Sequence, residues 1–195
     1  MRMRIAGLAL FFVLSGSQAA TDFDALGITP PKQRLLAPDF SLATPGGRTL
    51  RLSDFRGKTV LLNFWASFCA PCREEMPALQ MLWEAHRHAG LVVLAVAADR
   101  SKSGAAAVMA LTESTGVSFP VLLDSNGEVR RQYEVQALPT SYLIGADGRF
   151  LGRIIGPRDW DKAGYRKLFM SLLPADALRT PAKPAQAPGS PGLPH

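Results

Sequence analysis

Apolar residues gather in short unbroken runs along this chain, with helix-spaced stretches between them. Val60 to Trp65 is apolar apart from Asn63, which predicts a buried central strand. Leu91 to Ala97 predicts a second buried strand and Phe119 to Leu123 a third. Between the first two, Met76, Leu79, Trp83 and His86 recur at near-helical spacing, with Leu82 beside them. Pro77 should kink this helix and Gly90 should end it. Ser101 to Thr115 is Ala-rich and predicts another helix, stopped by Gly116. Two hairpins are predicted around turn clusters. One joins Phe40–Leu42 to Arg48–Leu52 across Pro45-Gly46-Gly47; the other joins Thr140–Ile144 to Arg149–Ile155 across Gly145 to Gly148. Asp159 can cap a last helix that runs to Leu173, before Pro174. The order β-α-β-α-β, then a hairpin and a helix, predicts an α/β sandwich around a mixed sheet.

The two ends read differently. Arg2 and Arg4 precede an apolar run from Ile5 to Leu14, and Ser17-Gln18-Ala19 sets small residues where a signal peptidase inspects them. Residues 1–19 are therefore read as a signal peptide. The run is shorter than the roughly 20 residues a spanning helix needs, so cleavage is preferred to a retained anchor. No Cys lies near the cut, which removes a lipoprotein anchor. Residues 20–37, with Pro30 and Pro31, read as an irregular N-terminal extension. Residues 38–174 read as the folded domain, and 175–195 as a disordered Pro/Ala-rich tail.

Composition narrows the function classes. Hydrophobic residues make up 47% of the chain, which allows a sizeable core and excludes disorder throughout. The net charge is +6, or +4 once Arg2 and Arg4 are removed. The basic residues are spread among acidic ones and form no concentrated face for nucleic acid. The expectation is a monomer outside the cytoplasm with no nucleic-acid partner.

Cys69 and Cys72 are the two cysteines of the chain. A bridge between them closes a tiny loop and restricts little unfolded-chain entropy, so a structural staple explains the pair poorly. Their context explains it better. Cys69 falls where a buried strand ends and a helix begins, so backbone N–H groups and the helix dipole favour its thiolate, the nucleophilic form. Pro71 suits the first helical turn. Cys72 lies one turn on and is more protected. Cys69 would attack a substrate disulfide, and Cys72 would resolve the mixed disulfide. A structural zinc site wants four ligands, and His86 and His88 diverge on a helix. Copper shuttling through the two sulfurs is the alternative function, because soft thiolates suit Cu(I). A peroxidase would carry Thr three residues before its reactive Cys, where this chain has Ala66.

The segment Asn63-Phe64-Trp65-Ala66-Ser67-Phe68-Cys69-Ala70-Pro71-Cys72-Arg73-Glu74-Glu75-Met76-Pro77 resembles the active-site segment of the TlpA/ResA-type branch of thioredoxin-like proteins. Leu52-Ser53-Asp54-Phe55-Arg56-Gly57-Lys58 resembles that branch's lead-in to the central strand, and Leu138-Pro139-Thr140 its cis-proline loop. The resemblance spans roughly Pro38 to Leu173. It implies a thioredoxin-like fold with an N-terminal β-hairpin and an inserted helix–strand element at about Ser101 to Leu123. It implies reduction of protein disulfides outside the cytoplasm, with apocytochrome or copper-protein thiols as candidate substrates. It also implies recharging by a membrane-embedded electron donor and no cofactor beyond the redox-active pair Cys69–Cys72. Trp65, Phe68, Leu138 and Pro139 would form the substrate-binding surface. Asn63 replaces the buried Asp of thioredoxin and cannot transfer a proton. Glu75 resembles an acidic residue of ResA-like members and would take over that role; the other reading is a solvated carboxylate stabilised by the helix dipole. Phe68 stands where the family usually has Trp, so an N–H donor is lost.

The mature chain should begin at Ala20, after a cut at Ala19, or at Thr21, after a cut at Ala20. N-terminal sequencing of protein recovered from the cell envelope checks it, and an intact Met1 would support an uncleaved anchor.

Overall fold

In a computed structural model the protein is described over residues 23–100 and 102–174. The signal peptide read over 1–19, residues 20–22 of the extension and the 175–195 tail lie outside the described residues.

The described residues form a seven-stranded mixed sheet of order β2-β1-β5-β4-β3-β6-β7. The strands are β1 Ser41–Ala43, β2 Thr49–Arg51, β3 Thr59–Trp65, β4 Leu91–Ala97, β5 Val121–Leu123, β6 Thr140–Ile144 and β7 Phe150–Ile155. β3 runs parallel to β4, from Thr59↔Leu91 to Trp65↔Ala97, and antiparallel to β6, with Phe64↔Thr140. β5 runs parallel to β4. This is the thioredoxin-like architecture that the resemblance implies.

β3 and β4 are buried along their whole length because both faces of the sheet are covered. Alternation sorts their side chains between two cores. Leu61, Trp65, Val93 and Leu143 pack with Met76, Leu79, Leu82 and Phe169 beneath two helices, α1 Ala70–His86 and α4 Ala163–Leu172. Val60, Leu62, Phe64 and Tyr142 pack with Tyr133, Val129 and Leu52 on the other side. A third helix, α2 Lys102–Thr115, adds Val108 to the first core.

α1 carries Pro77 within it and passes into a 3-10 turn, Arg87–Ala89, that stops at Gly90 as expected, at φ 99. Two readings of the sequence change. Asp159 does not cap the last helix, which starts at Ala163 with Lys162 at its N-cap. The start is late because the Trp160 indole is drawn into the core, where it donates to Glu75. Instead the Asp159 backbone carbonyl accepts the Lys162 N–H, and its carboxylate pairs with the Lys162 ammonium at 2.6 Å. A short helix, α3 Glu128–Gln132, was not read from the sequence. It contributes one buried apolar residue, Val129, too few to make a period, and it forms because Asp124 accepts the N–H groups of Val129 and Arg130.

The segment read as an irregular extension is packed onto the domain. Thr29 exchanges backbone bonds with Arg153, and Ala37 donates to Gly148. Together with the Leu36–Arg149 bridge, these contacts cover the outer edge of β7, which would otherwise expose unpaired backbone groups. Ile28 is buried in the first core. Gly152 makes room for it, since a Cβ there would lie 2.4 Å from Ile28 Cγ2. The Tyr165 hydroxyl donates to the Leu26 carbonyl. Ile28→Ala should cost about 2–5 kcal/mol, as for other buried Ile truncations. Urea unfolding of the two proteins checks it; equal midpoints would mean the segment adds no core.

Candidate active site

β3 ends at Trp65, and a four-residue turn follows in which the Cys69 N–H donates to the Ala66 carbonyl at 3.1 Å. Cys69 is the N-cap of α1, with Pro71 in the first turn. The two cysteines form a disulfide with Cα atoms 5.3 Å apart. Cys69 is half-buried at the surface, whereas Cys72 is 0% exposed and belongs to the first core. One sulfur can therefore be reached from outside and the other cannot.

The remaining sequence-predicted residues separate. The Leu138–Pro139 peptide is cis and directly precedes β6. Phe64 pairs with Thr140, so extending that register one step sets Pro139 against Trp65 at the same sheet end as the dithiol. Pro139 itself is buried, with its carbonyl accepting from Gly156, and Leu138 is half-buried. Phe68 is 73% exposed beside Cys69. Trp65 is a correction. It is 0% exposed, because odd-numbered residues of β3 face the helix-covered core, and it cannot form part of a substrate surface.

Glu75 lies one turn beyond Cys72 on α1 and is 4% exposed, so the solvated-carboxylate reading falls. Its Oε1 accepts from Asn63 Nδ2 at 2.9 Å. Its Oε2 accepts from the Arg158 backbone N–H at 3.1 Å and from the Trp160 indole N–H at 3.0 Å. Asn63 also donates to Ser141 Oγ. Burial pushes the Glu75 carboxyl above the usual range, and the three donors with the Arg158 charge offset only part of that rise. A cleft of about 570 Å³ runs past this residue, lined by Pro71, Glu74, Glu75, Arg158, Lys162 and Tyr165 among others.

Sequence reasoning missed Trp160, Arg158 and Asp99. The first two lie more than 80 residues from Glu75, and no spacing links them. Asp99 had a signal: it follows a buried parallel strand at its carboxyl end, where open α/β sheets place their ligand crevices. It accepts the N–H of Ser67 at 2.9 Å and the Ser67 hydroxyl. Among the described residues, no three His, Cys, Asp or Glu side chains gather in a way that could hold a metal ion. His86 is buried on α1 and His88 is exposed.

Comparison with known proteins bears on this geometry. Residues 35–150 match the AhpC/TSA family. The thiol-disulfide oxidoreductase ResA of Bacillus cereus is 34% identical over 149 residues, covering 75% of this chain and 84% of the relative. ResA of Bacillus subtilis is 38% identical over 120 residues, covering 62% and 65%. Among solved structures, a thiol:disulfide interchange protein of the thioredoxin family from Chlorobium tepidum superposes with TM-score 0.64 at 26% identity, over 74% of this chain and 99% of that one. StoA from Bacillus subtilis superposes with TM-score 0.58 at 27% identity, over 69% and 99%.

The raised Glu75 carboxyl makes stability depend on pH. The folded chain keeps this proton above the pH where the unfolded chain, near its ordinary 4.5, has lost it. Stability from this group is therefore fully present below about that value and falls as pH rises through the folded-state value. Glu75→Gln should flatten the decline. Urea midpoints of both oxidised proteins across that window check it; parallel profiles would assign the slope to another group.

Proposed function

The chain belongs to the AhpC/TSA family and is a thiol-disulfide oxidoreductase of the ResA kind, and from that premise we propose that it acts as a reductant of protein disulfides outside the cytoplasm. The observation that carries this reading is the asymmetry of the pair: Cys69 is reachable at a helix N-terminus, and Cys72 is closed beneath it.

The reduced protein starts the cycle. The Cys69 thiolate attacks one sulfur of a substrate disulfide; that S–S bond breaks, and the departing thiolate takes a proton. Cys72, deprotonated, then attacks Cys69 Sγ. The substrate's second sulfur leaves, and the Cys69–Cys72 disulfide forms. Two electrons have passed from the dithiol to the substrate. Glu75, one helical turn from Cys72 and with its proton affinity raised by burial, takes the Cys72 proton. Phe68 and Leu138 meet the substrate chain, and Pro139, which has no N–H to donate, shapes the loop beside the sulfurs. Apocytochrome or copper-protein thiols are the candidate substrates, and a membrane-embedded donor returns the electrons. Among the described residues no helix is long and apolar enough to cross a membrane.

The direction follows from what stabilises the thiolate. Ala70 and Pro71 bring no charge between the cysteines. The potential should therefore fall nearer thioredoxin, about −270 mV, than DsbA, about −120 mV.

Cys69→Ser should abolish reduction of a model disulfide. Cys72→Ser should still attack and should accumulate mixed disulfides through Cys69. Gel analysis of trapped adducts checks both. Faster alkylation of Cys72 than of Cys69 in the reduced protein would reverse the roles. A wild-type potential above about −180 mV, the value for an isomerase, would turn the reductant into an oxidant.

A further inference from the structure

The turn that delivers Cys69 to its helix is gripped from both sides by charged residues outside the dithiol. Ser67 is the centre of the grip. Its N–H and hydroxyl both donate to the Asp99 carboxylate, and its carbonyl accepts from Arg73 Nη1 at 2.8 Å. The flanking bonds close the turn: Cys69 N–H to the Ala66 carbonyl and Arg73 N–H to the Cys69 carbonyl. Ser67 therefore has both backbone groups and its side chain fixed, two residues before the attacking sulfur.

The two charges differ in setting. Asp99 is 4% exposed, and Gly104 of α2 packs on it so closely that a Cβ there would lie 2.9 Å from Asp99 Cβ. The two bonds it accepts from Ser67 come from neutral donors, and among the described residues no ion pair to it is found. Arg73 is exposed. Salt and water screen exposed charges far more than buried ones, so per unit charge the buried Asp99 outweighs the exposed Arg73.

We propose that Asp99 and Arg73 are positioning residues of opposite sign that act through Ser67 to set the acidity of the Cys69 thiol, with Asp99 dominant. The carboxylate held against Ser67, two residues before Cys69, disfavours the thiolate, and the guanidinium favours it. Holding the thiolate back destabilises the reduced protein and lowers the potential, which biases the pair toward donating electrons. Among the described residues the other charges near the turn are Glu74 and Glu75 on α1, Arg100 after Asp99, and Arg158, Asp159 and Lys162 across the cleft. They are the same in every variant below.

The inference rests on the dithiol reading only in needing Cys69 and Cys72 to exchange with glutathione. In that equilibrium the protein disulfide and two glutathione thiols become the protein dithiol and one glutathione disulfide, a transfer of two electrons. The full chain is compared with Asp99→Asn and Arg73→Gln by two measurements: the pH profile of Cys69 alkylation by iodoacetamide, and the glutathione equilibrium. Asp99→Asn should move the alkylation midpoint to lower pH and shift the equilibrium about tenfold toward the dithiol, a potential about 30 mV less negative. Arg73→Gln should move both the opposite way and by less. Displacements in the same direction, or none, overturn the proposal. Arg73→Gln lies at an exposed position, so it decides the matter even where Asp99→Asn fails to fold: an unchanged or raised potential for it refutes the assignment. The absolute wild-type potential tests the reductant reading, and the differences between variants test this one.

Discussion

The site depends on a buried carboxyl whose oxygens rest on hydrogen bonds from neutral donors. Glu75 could not sit inside the first core unless its oxygens were satisfied, because an unpaired buried charge costs several kcal/mol even after relaxation. Its donors come from three places: Asn63 on β3, the backbone of Arg158, and the indole of Trp160. Those bonds fix the helix that carries both cysteines against the central strand and against the segment leading to the last helix. They also account for the late start of that helix, since Trp160 must face inward before the chain can turn.

The N-terminal segment joins this arrangement from outside. It covers the edge of β7 and buries Ile28, and its residues Ala25, Leu26 and Gly27 line the cleft that passes Glu75. Blunting an exposed strand edge and shaping the approach to the buried carboxylate are thus done by one stretch of chain. Changes in that stretch should affect stability and site access together, which separates it from a passive leader.

Much of this was legible in the sequence where burial is continuous. β3 and β4 read as apolar runs because both their faces are covered, and their ends fall within one residue of the observed bounds. The dithiol was legible because its strand-to-helix setting is local. Contacts bridging distant segments were not. Nothing in the spacing ties Glu75 to Trp160 or Ser67 to Asp99, since each rests on one or two bonds formed only once the sheet is assembled. The aromatic pair near the cysteines shows the boundary between the two cases. Trp65 lies in step with Leu61 on a strand and so faces the core, whereas Phe68 lies beyond the strand end and projects outward. Strand parity would have separated them; resemblance alone joined them.

Glu75 and Asp99 share a design that bears on direction. Each is buried, Glu75 one helical turn from Cys72 and Asp99 against Ser67, two residues before Cys69, and each accepts from neutral N–H or O–H donors. A salt bridge would have cancelled much of either charge. Hydrogen bonds from neutral groups solvate a carboxylate while leaving its field in place. The helix N-terminus favours a Cys69 thiolate, and these two carboxylates, when ionised, oppose it. An active site that needed only a reactive thiolate would have no use for such opposition. One that must hand electrons on does, because a thiolate stabilised too well keeps them.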